Sequence, residues 1–468
     1  MGIVWGGIAP HPPIIIPEIG GAELKKVAAS CQALRALATS LKASGAEAVV
    51  VTTPHGTVFQ DAVAVSLLPK VSGSFADFGA PQIKFNLQTD YDLASAIVDA
   101  GVDLGVPTVG LGEDKIHRYR TGSRLDHGVL VPWYYLAQAG VELPIVWVGM
   151  SLLPPEDLYA FGVAVKQASN LLGRPVAFLA SADLSHRLTR TAPAGYHPDG
   201  KRFDALLVEK VGHGDLEGVL KIDPALADKA GECGWRSIMM LAGALDGYEI
   251  TPKVLSYEGP FGVGYLVAEL MPVTERPELS RLEHLRGAQQ QEVVAQRSGE
   301  SVFVCLARQS LETYVRTGKR LPLPPDVPPE LSKRAGAFVT LKKNKQLRGC
   351  IGTIQPTQKN LAAEIIENAI SAGTRDPRFW PVEEDELKDI VYSVDVLGAP
   401  EPVESLAQLD PKRYGVIVQG RGGNKGLLLP DIEGIDTPEQ QVKIAKQKAG
   451  LGPRDEVRLE RFEVNRYY

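Results

Sequence analysis

Three histidines close three apolar runs. His11 follows "VWGGIAP", His55 follows "AVVVTTP" and His186 follows "VAFLASADLS". Neutral imidazole is a metal ligand, and it titrates near neutrality, so histidines gathered at one place can hold a metal or carry protons. Pro10, Pro12 and Pro13 stiffen the loop around His11, and Pro54 precedes His55 in the same way. Fixed φ angles hold a ring in place, which a ligand needs. Two histidines and one carboxylate with open positions form the facial triad of non-haem Fe(II) sites. The candidate carboxylate is Glu232, in "KAGECGWRSIMM". An unpaired acid in such apolar surroundings is costly, and a metal would compensate its charge. An alternative stays open there: Glu232 also reads as a plain acid at a helix N-terminus, favoured by the dipole.

For these histidines to meet, the strands before them must neighbour one another in an open sheet, where ligands gather outside the carboxyl ends. The pattern supports that. "GIVWGGIA", "AEAVVVTTPHG", "PIVWVGMS" and "RPVAFLASADLSH" read as strands. Between and after them, "GAELKKVAASCQALRALATSLKASG", "TDYDLASAIVDAG", "PEDLYAFGVAVKQASNLLG", "FDALLVEKVGHGDLEGVLK" and "GWRSIMMLAGALDG" carry helical spacing. Residues 57–88 read as a variable polar stretch. The alternation predicts an α/β domain with a central mixed sheet flanked by helices. His127, in "RLDHGVLVP", reads equally as a site residue or as a structural histidine paired with Asp126. His117, His197, His213 and His284 read as surface or hydrogen-bonded residues.

The chain has 468 residues, too many for one core. Near residue 272 the composition turns to charge and Gln. The expected organisation is a first domain over 1–272, a linker over 273–286 and a second domain over 287–468. The second domain mixes helices with hairpins and reads as α+β. In it, "AGAFVTLKKNKQLRGCIGTI" reads as two strands around a turn at 343–346. "GRGGNKG" lacks the Lys-Ser/Thr of a phosphate loop and reads as a hairpin turn. In "LRGCIG", alternation puts Arg348 and Cys350 on one face. A guanidinium there would stabilise a reactive thiolate. The plainer reading is a small buried residue packed between glycines.

The net charge of −6 gives no global pull toward nucleic acid or anionic membrane. No run of 18 uncharged apolar residues marks a transmembrane helix, and the N-terminal residues read neither as a signal peptide nor as a myristoylation site. Four scattered cysteines point to free thiols in a reducing cytoplasm, with no cluster for an iron–sulfur centre.

"APHPP", "TTPHG", "LDHG", "SADLSH" and "AGECG" stand in the order and spacing of the class III extradiol dioxygenases of the LigB type, including the Memo proteins. The first 270 residues resemble that family. The resemblance implies Fe(II), with Zn or Cu as alternatives, on His11, His55 and Glu232. It implies His186 as acid/base residue beside O2, and His127 as a second histidine that deprotonates substrate. Ser181, Asp183 and Ser185 would orient His186. The implied reaction is extradiol cleavage of a dihydroxylated aromatic compound by O2. Some Memo relatives carry cysteine at the third ligand position, which makes the adjacent Cys233 the rival to the preferred Glu232 and would move the site toward softer Zn or Cu(I).

"LRGCIG", "SAGTRDPRFWPV", "EDELKDIVYSVDVL" and "GLLLP" resemble the AMMECR1 family across about residues 287–468. That resemblance assigns no activity. Arg375, Asp376 and Arg378 read as a loop salt-bridge cluster, with a groove beside Cys350 as a possible anion site. The fusion of the two halves is similar to proteins of AmmeMemoRadiSam systems, which implies a radical-SAM partner protein.

Overall fold

A computed structural model describes residues 2–119, 121–323, 326–343, 346–432 and 434–468, without the side chains of residues 289 and 346. It divides into two compact units, residues 1–286 and 287–468. The expected turn at 343–346 includes residues 344 and 345, which lie outside the described residues.

In the first unit ten strands form: β1 (Ile3–Ala9), β2 (Ala48–Thr53), β3 (Val63–Ser66), β4 (Lys70–Phe75), β5 (Ala80–Gln88), β6 (Thr108–Leu111), β7 (Ile145–Gly149), β8 (Val176–Ser181), β9 (Tyr248–Glu258) and β10 (Tyr265–Glu275). Eight make one mixed sheet in the order β6-β3-β7-β2-β8-β1-β10-β9. β7, β2, β8 and β1 run parallel at its centre, and β10 and β9 add antiparallel edge pairing. Central strands buried on both faces need apolar residues at every position. "AVVV" and "VAFLA" supply them, the strands close on the buried polar residues Thr52, Thr53 and Ser181, and each strand is buried throughout. Successive side chains leave on opposite faces. Val49 and Val51 pack with the helices Ala28–Ala43 and His127–Gln138. Val50, one residue between, packs with Pro155–Leu172 and Trp235–Ala244.

The expected single helix over 203–221 is two, Pro198–His213 and Leu216–Leu220, because Gly214 adopts φ +66° and ends the first. The polar stretch 57–88 holds β3 and a separate hairpin, β4 with β5. Residues 273–286 hold the end of β10, a tight turn at Pro277–Leu279 and the start of the helix Leu282–Ser298, whose Leu282 and Leu285 are buried.

The second unit is built on antiparallel strands: β11 (Ala337–Lys343), β12 (Gln346–Gly352), β13 (Ile390–Leu397), β14 (Glu401–Val403), β15 (Tyr414–Gly420), β16 (Lys425–Leu428) and β17 (Val457–Tyr467). The order is β12-β11-β13-β17-β15-β16, with β14 on β17. The helices Val302–Thr317 and Leu361–Thr374 pack with Val339, Leu341 and Val394 in its main core. "GRGGNKG" is the hairpin turn between β15 and β16. There Gly423 takes φ +81° and Gly420 N donates to Asn424 O at 3.0 Å.

Candidate metal centre

β8 lies between β1 and β2, so the residues that follow these three parallel strands leave the sheet at the same edge. His11 stands two residues past β1 and is 1% exposed. Its backbone N donates to Asp183 Oδ1 at 2.9 Å, tying the loop after β1 to the loop after β8. Its Nδ1 lies 2.8 Å from Ser181 Oγ. That hydroxyl already donates to Gly128 O. It therefore accepts from Nδ1–H, and His11 presents Nε2 as a lone pair.

His55 stands two residues past β2, with its backbone N donating to Thr53 Oγ1 at 3.2 Å. Its Nε2 is 3.0 Å from His11 Nε2. Cys233 completes the group, with Sγ 3.5 Å from His11 Nε2 and 4.0 Å from His55 Nε2. Among the described residues this is the group of His, Cys, Asp or Glu side chains placed to hold a metal ion. A tetrahedral ion with bonds of about 2.1 Å to nitrogen and about 2.3 Å to sulfur separates its donors by about 3.4 Å (N to N) and about 3.6 Å (N to S). The spacings found are close to these, and the donors face one another, so the residues fit a metal.

Glu232, expected as the third ligand, does not join them. Its carboxylate accepts from Trp235 N at 2.6 Å, at the start of the helix Trp235–Ala244, and lies 3.7 Å from Arg236. It is the helix-terminal acid of the plainer reading. Burial raises its carboxyl to about 7, against the opposing hydrogen bond from Trp235. Gly231 at φ +61° closes the preceding helix. Gly234 then lies against β8's exit, where a Cβ would come within 2.4 Å of Ala182 Cβ. Between these glycines Cys233 faces the histidines.

His127 opens the helix His127–Gln138, capped by Asp126, whose Oδ1 accepts from Gly128 N at 2.8 Å and Thr53 Oγ1 at 2.6 Å. Of its two readings, the site residue is the one the placement favours. Its ring stacks on His55 at 4.3 Å, and Phe78 meets it edge-on at 5.6 Å. His186 follows β8 by five residues and leaves the sheet at the same edge as His11 and His55. Its Nδ1 is buried, and the backbone groups of Leu184 and Gly231 lie within hydrogen-bonding reach of the ring. The residues expected to orient it do other work. Ser181 and Asp183 hold His11, while Ser185 donates to Ala230 O at 2.9 Å.

Burial lowers all four histidines, His11 well below its ordinary value and His55 to about 4, so each is neutral at pH 7. Burial also pushes the Cys233 thiol well up. A bound cation reverses that preference and deprotonates a coordinating thiol. Phe78 was not anticipated, because the hairpin carrying it lay inside the stretch read as polar.

In the second unit the β11–β12 ladder shifts register beside Lys342, leaving Arg348 as the extra residue. Its guanidinium is held by Glu386 at 2.7 and 3.0 Å. The Cys350 thiol, pushed up chiefly by burial, accepts from Thr340 Oγ1 at 3.2 Å. Arg348 is thus engaged away from Cys350, and the arrangement favours the plainer of the two readings, a small packed residue. Asp376 pairs with Arg378 at 2.7 Å and Arg375 with Glu367 at 3.0 Å, the loop salt bridges expected there.

Comparison with known proteins places these observations in a class. The family described as "Catalytic LigB subunit of aromatic ring-opening dioxygenase" matches residues 7–268, and AMMECR1 matches residues 304–467. The chain belongs to the LigB family and carries an AMMECR1 domain fused behind its LigB domain. Protein CA_C1420 of Clostridium acetobutylicum is 41% identical over 462 residues, 98% of each chain. A Thermotoga maritima protein is 57% identical over 172 residues, 36% of this chain and 98% of its own. A crystal structure of the uncharacterized protein PH0010 from Pyrococcus horikoshii is 35% identical, covering 35% of this chain and 88% of its own, at a TM-score of 0.33. No helix among the described residues is long and apolar enough to cross a membrane.

Proposed function

We propose that the first unit is a metal-dependent oxidoreductase built on His11, His55 and Cys233, with His127 and His186 as its proton-handling residues. The observation that carries this reading is the convergence of two imidazole nitrogens and a thiol beside two further neutral histidines. The thiol makes the donor set softer than a carboxylate triad, so copper and zinc join iron as candidate ions. When bound, the ion supplies a Lewis acid and, as iron or copper, a redox couple. His127, stacked on His55, and Phe78 offer flat faces to an aromatic ring. His186, a neutral and partly exposed imidazole beyond the end of β8, is the residue assigned to accept a proton from a substrate hydroxyl. The family match favours a dihydroxylated aromatic compound and O2 as substrates, with extradiol ring opening as the reaction. Four free thiols support a reducing, cytoplasmic setting.

A second reading rests on Cys233. A thiolate in place of the carboxylate suits a Memo-like protein that holds its metal without turnover, as part of a radical-SAM-associated system. Oxygen uptake by the metal-loaded chain with a panel of catechols separates the two. The first reading predicts catechol-dependent uptake that His186→Ala abolishes while metal content stays unchanged. Uptake indifferent to every catechol would contradict it and favour the second.

A further inference from the structure

The second unit contains an open cavity of about 690 Å³, within the range of small-molecule sites. We propose that this cavity binds a small aromatic carboxylate, with Lys342 and Ser393 as the donors to its carboxylate group. The proposal is independent of the metal centre.

The cavity lies over the sheet face that turns away from the helices Val302–Thr317 and Leu361–Thr374. Register shows how that face is built. Thr340 pairs with Cys350 on one side and Ser393 on the other, so these three side chains share a row. Asp395 and Arg466 pair in the neighbouring row, and Val391 lies opposite Lys342. Thr340, Lys342, Val391, Ser393 and Asp395 all border the cavity, and Gly299 and Glu300 close it from the side. The pairing of β13 with β17 stops at Val394 and Tyr467, which leaves room beside Val391 and Ser393.

Charge accounting selects the ligand. Glu300 is held by Arg308 Nε at 2.8 and 3.0 Å. Asp395 is held by Arg466 at 2.7 and 3.1 Å. Lys342 is the bordering cation with no ion-pair partner among the described residues. The Ser393 hydroxyl, diagonal to it across the ladder, has no hydrogen-bond partner among them either. An ammonium and a hydroxyl on one sheet face form a donor pair for a carboxylate. The Tyr468 ring, 69% exposed at the rim, and Val391 give an apolar wall for a flat body. Arg348, Arg375 and Arg378 are engaged by Glu386, Glu367 and Asp376, so they are not the anion's ligands. The Cys350 thiol, in the same row, accepts from Thr340, and the site needs no covalent step.

The test is calorimetric titration of the full chain with benzoate, 4-hydroxybenzoate and cinnamate, and with the matching carboxamides. The expected result is saturable binding of at least one acid, one per chain. Lys342→Gln should weaken that acid at least tenfold and leave its amide unchanged. Ser393→Trp should fill the cavity and abolish binding at an unchanged melting temperature. No saturable binding of any acid to the wild-type chain overturns the proposal. So does equal loss of acid and amide in Lys342→Gln. Binding that survives Ser393→Trp but is lost in Cys233→Ala overturns it too, because the acid would then sit at the metal centre.

Discussion

At the scale of single residues, the centre turns on which of two adjacent side chains faces the histidines. Glu232 and Cys233 were both legible as candidates, because "AGECG" marks the place. The choice between them was not legible, since it depends on the direction the chain takes between Gly231 and Gly234. The φ of +61° at Gly231 and the close approach of Gly234 to Ala182 set that direction. Glu232→Gln should therefore keep its acceptor for Trp235 N and keep the metal, with melting close to wild type. Glu232→Ala should lose the helix-terminal bond and about 1 kcal/mol by urea unfolding, again with metal retained. Ser181→Ala should cost more at the metal. It removes the acceptor that fixes His11 as the Nδ1–H tautomer, and the expected loss is about 10- to 100-fold in affinity, read by competition with a chromophoric chelator. Unchanged affinity in Ser181→Ala would contradict the assigned tautomer.

At the scale of elements, β8 is the organiser. The apolar runs before His11, His55 and His186 announced three strand ends, and a parallel arrangement brings them to one edge. What the runs did not announce was the hairpin β4–β5, whose strands are half-exposed and carry polar residues between their apolar ones. It brings Phe78 to His127 nonetheless. Nor did alternation foresee the bulge at Arg348, because an extra residue breaks the period of two. Two predictions belong here. Gly234→Ala forces a Cβ into Ala182 and Asp183 O, so the helix Trp235–Ala244 must shift away from β8. Metal affinity should fall with that shift while the second unit's melting stays unchanged. The bulge gives the second prediction. Burial alone would raise the Glu386 carboxyl, but the bond from Arg348 and the charges of Lys343 and Arg348 overcome it and hold the group at about 2. Its folded value lies below its unfolded value of 4.5. The stability it contributes is thus present above pH 4.5 and lost as pH falls from there toward 2. Urea midpoints of the second unit should drop across that window, and Glu386→Gln should flatten the drop. An equal drop in the variant would contradict the assignment.

At the scale of the whole molecule, the two-part organisation was visible in the sequence, because its motifs fall into two sets and each set carries its own apolar periodicity. Each unit also encloses its own core. A fragment of residues 1–286 contains every side chain of the metal centre and should bind its ion with the affinity of the full chain. A large loss would show that the second unit shapes the site. The central claim is narrower, that the ion sits on two imidazoles and one thiolate. X-ray absorption of the metal-loaded chain tests it most directly. The predicted spectrum contains one sulfur at about 2.3 Å with nitrogen neighbours, the sulfur vanishing in Cys233→Ala and persisting in Glu232→Gln. A first shell of nitrogen and oxygen alone, altered by Glu232→Gln and indifferent to Cys233→Ala, would contradict it.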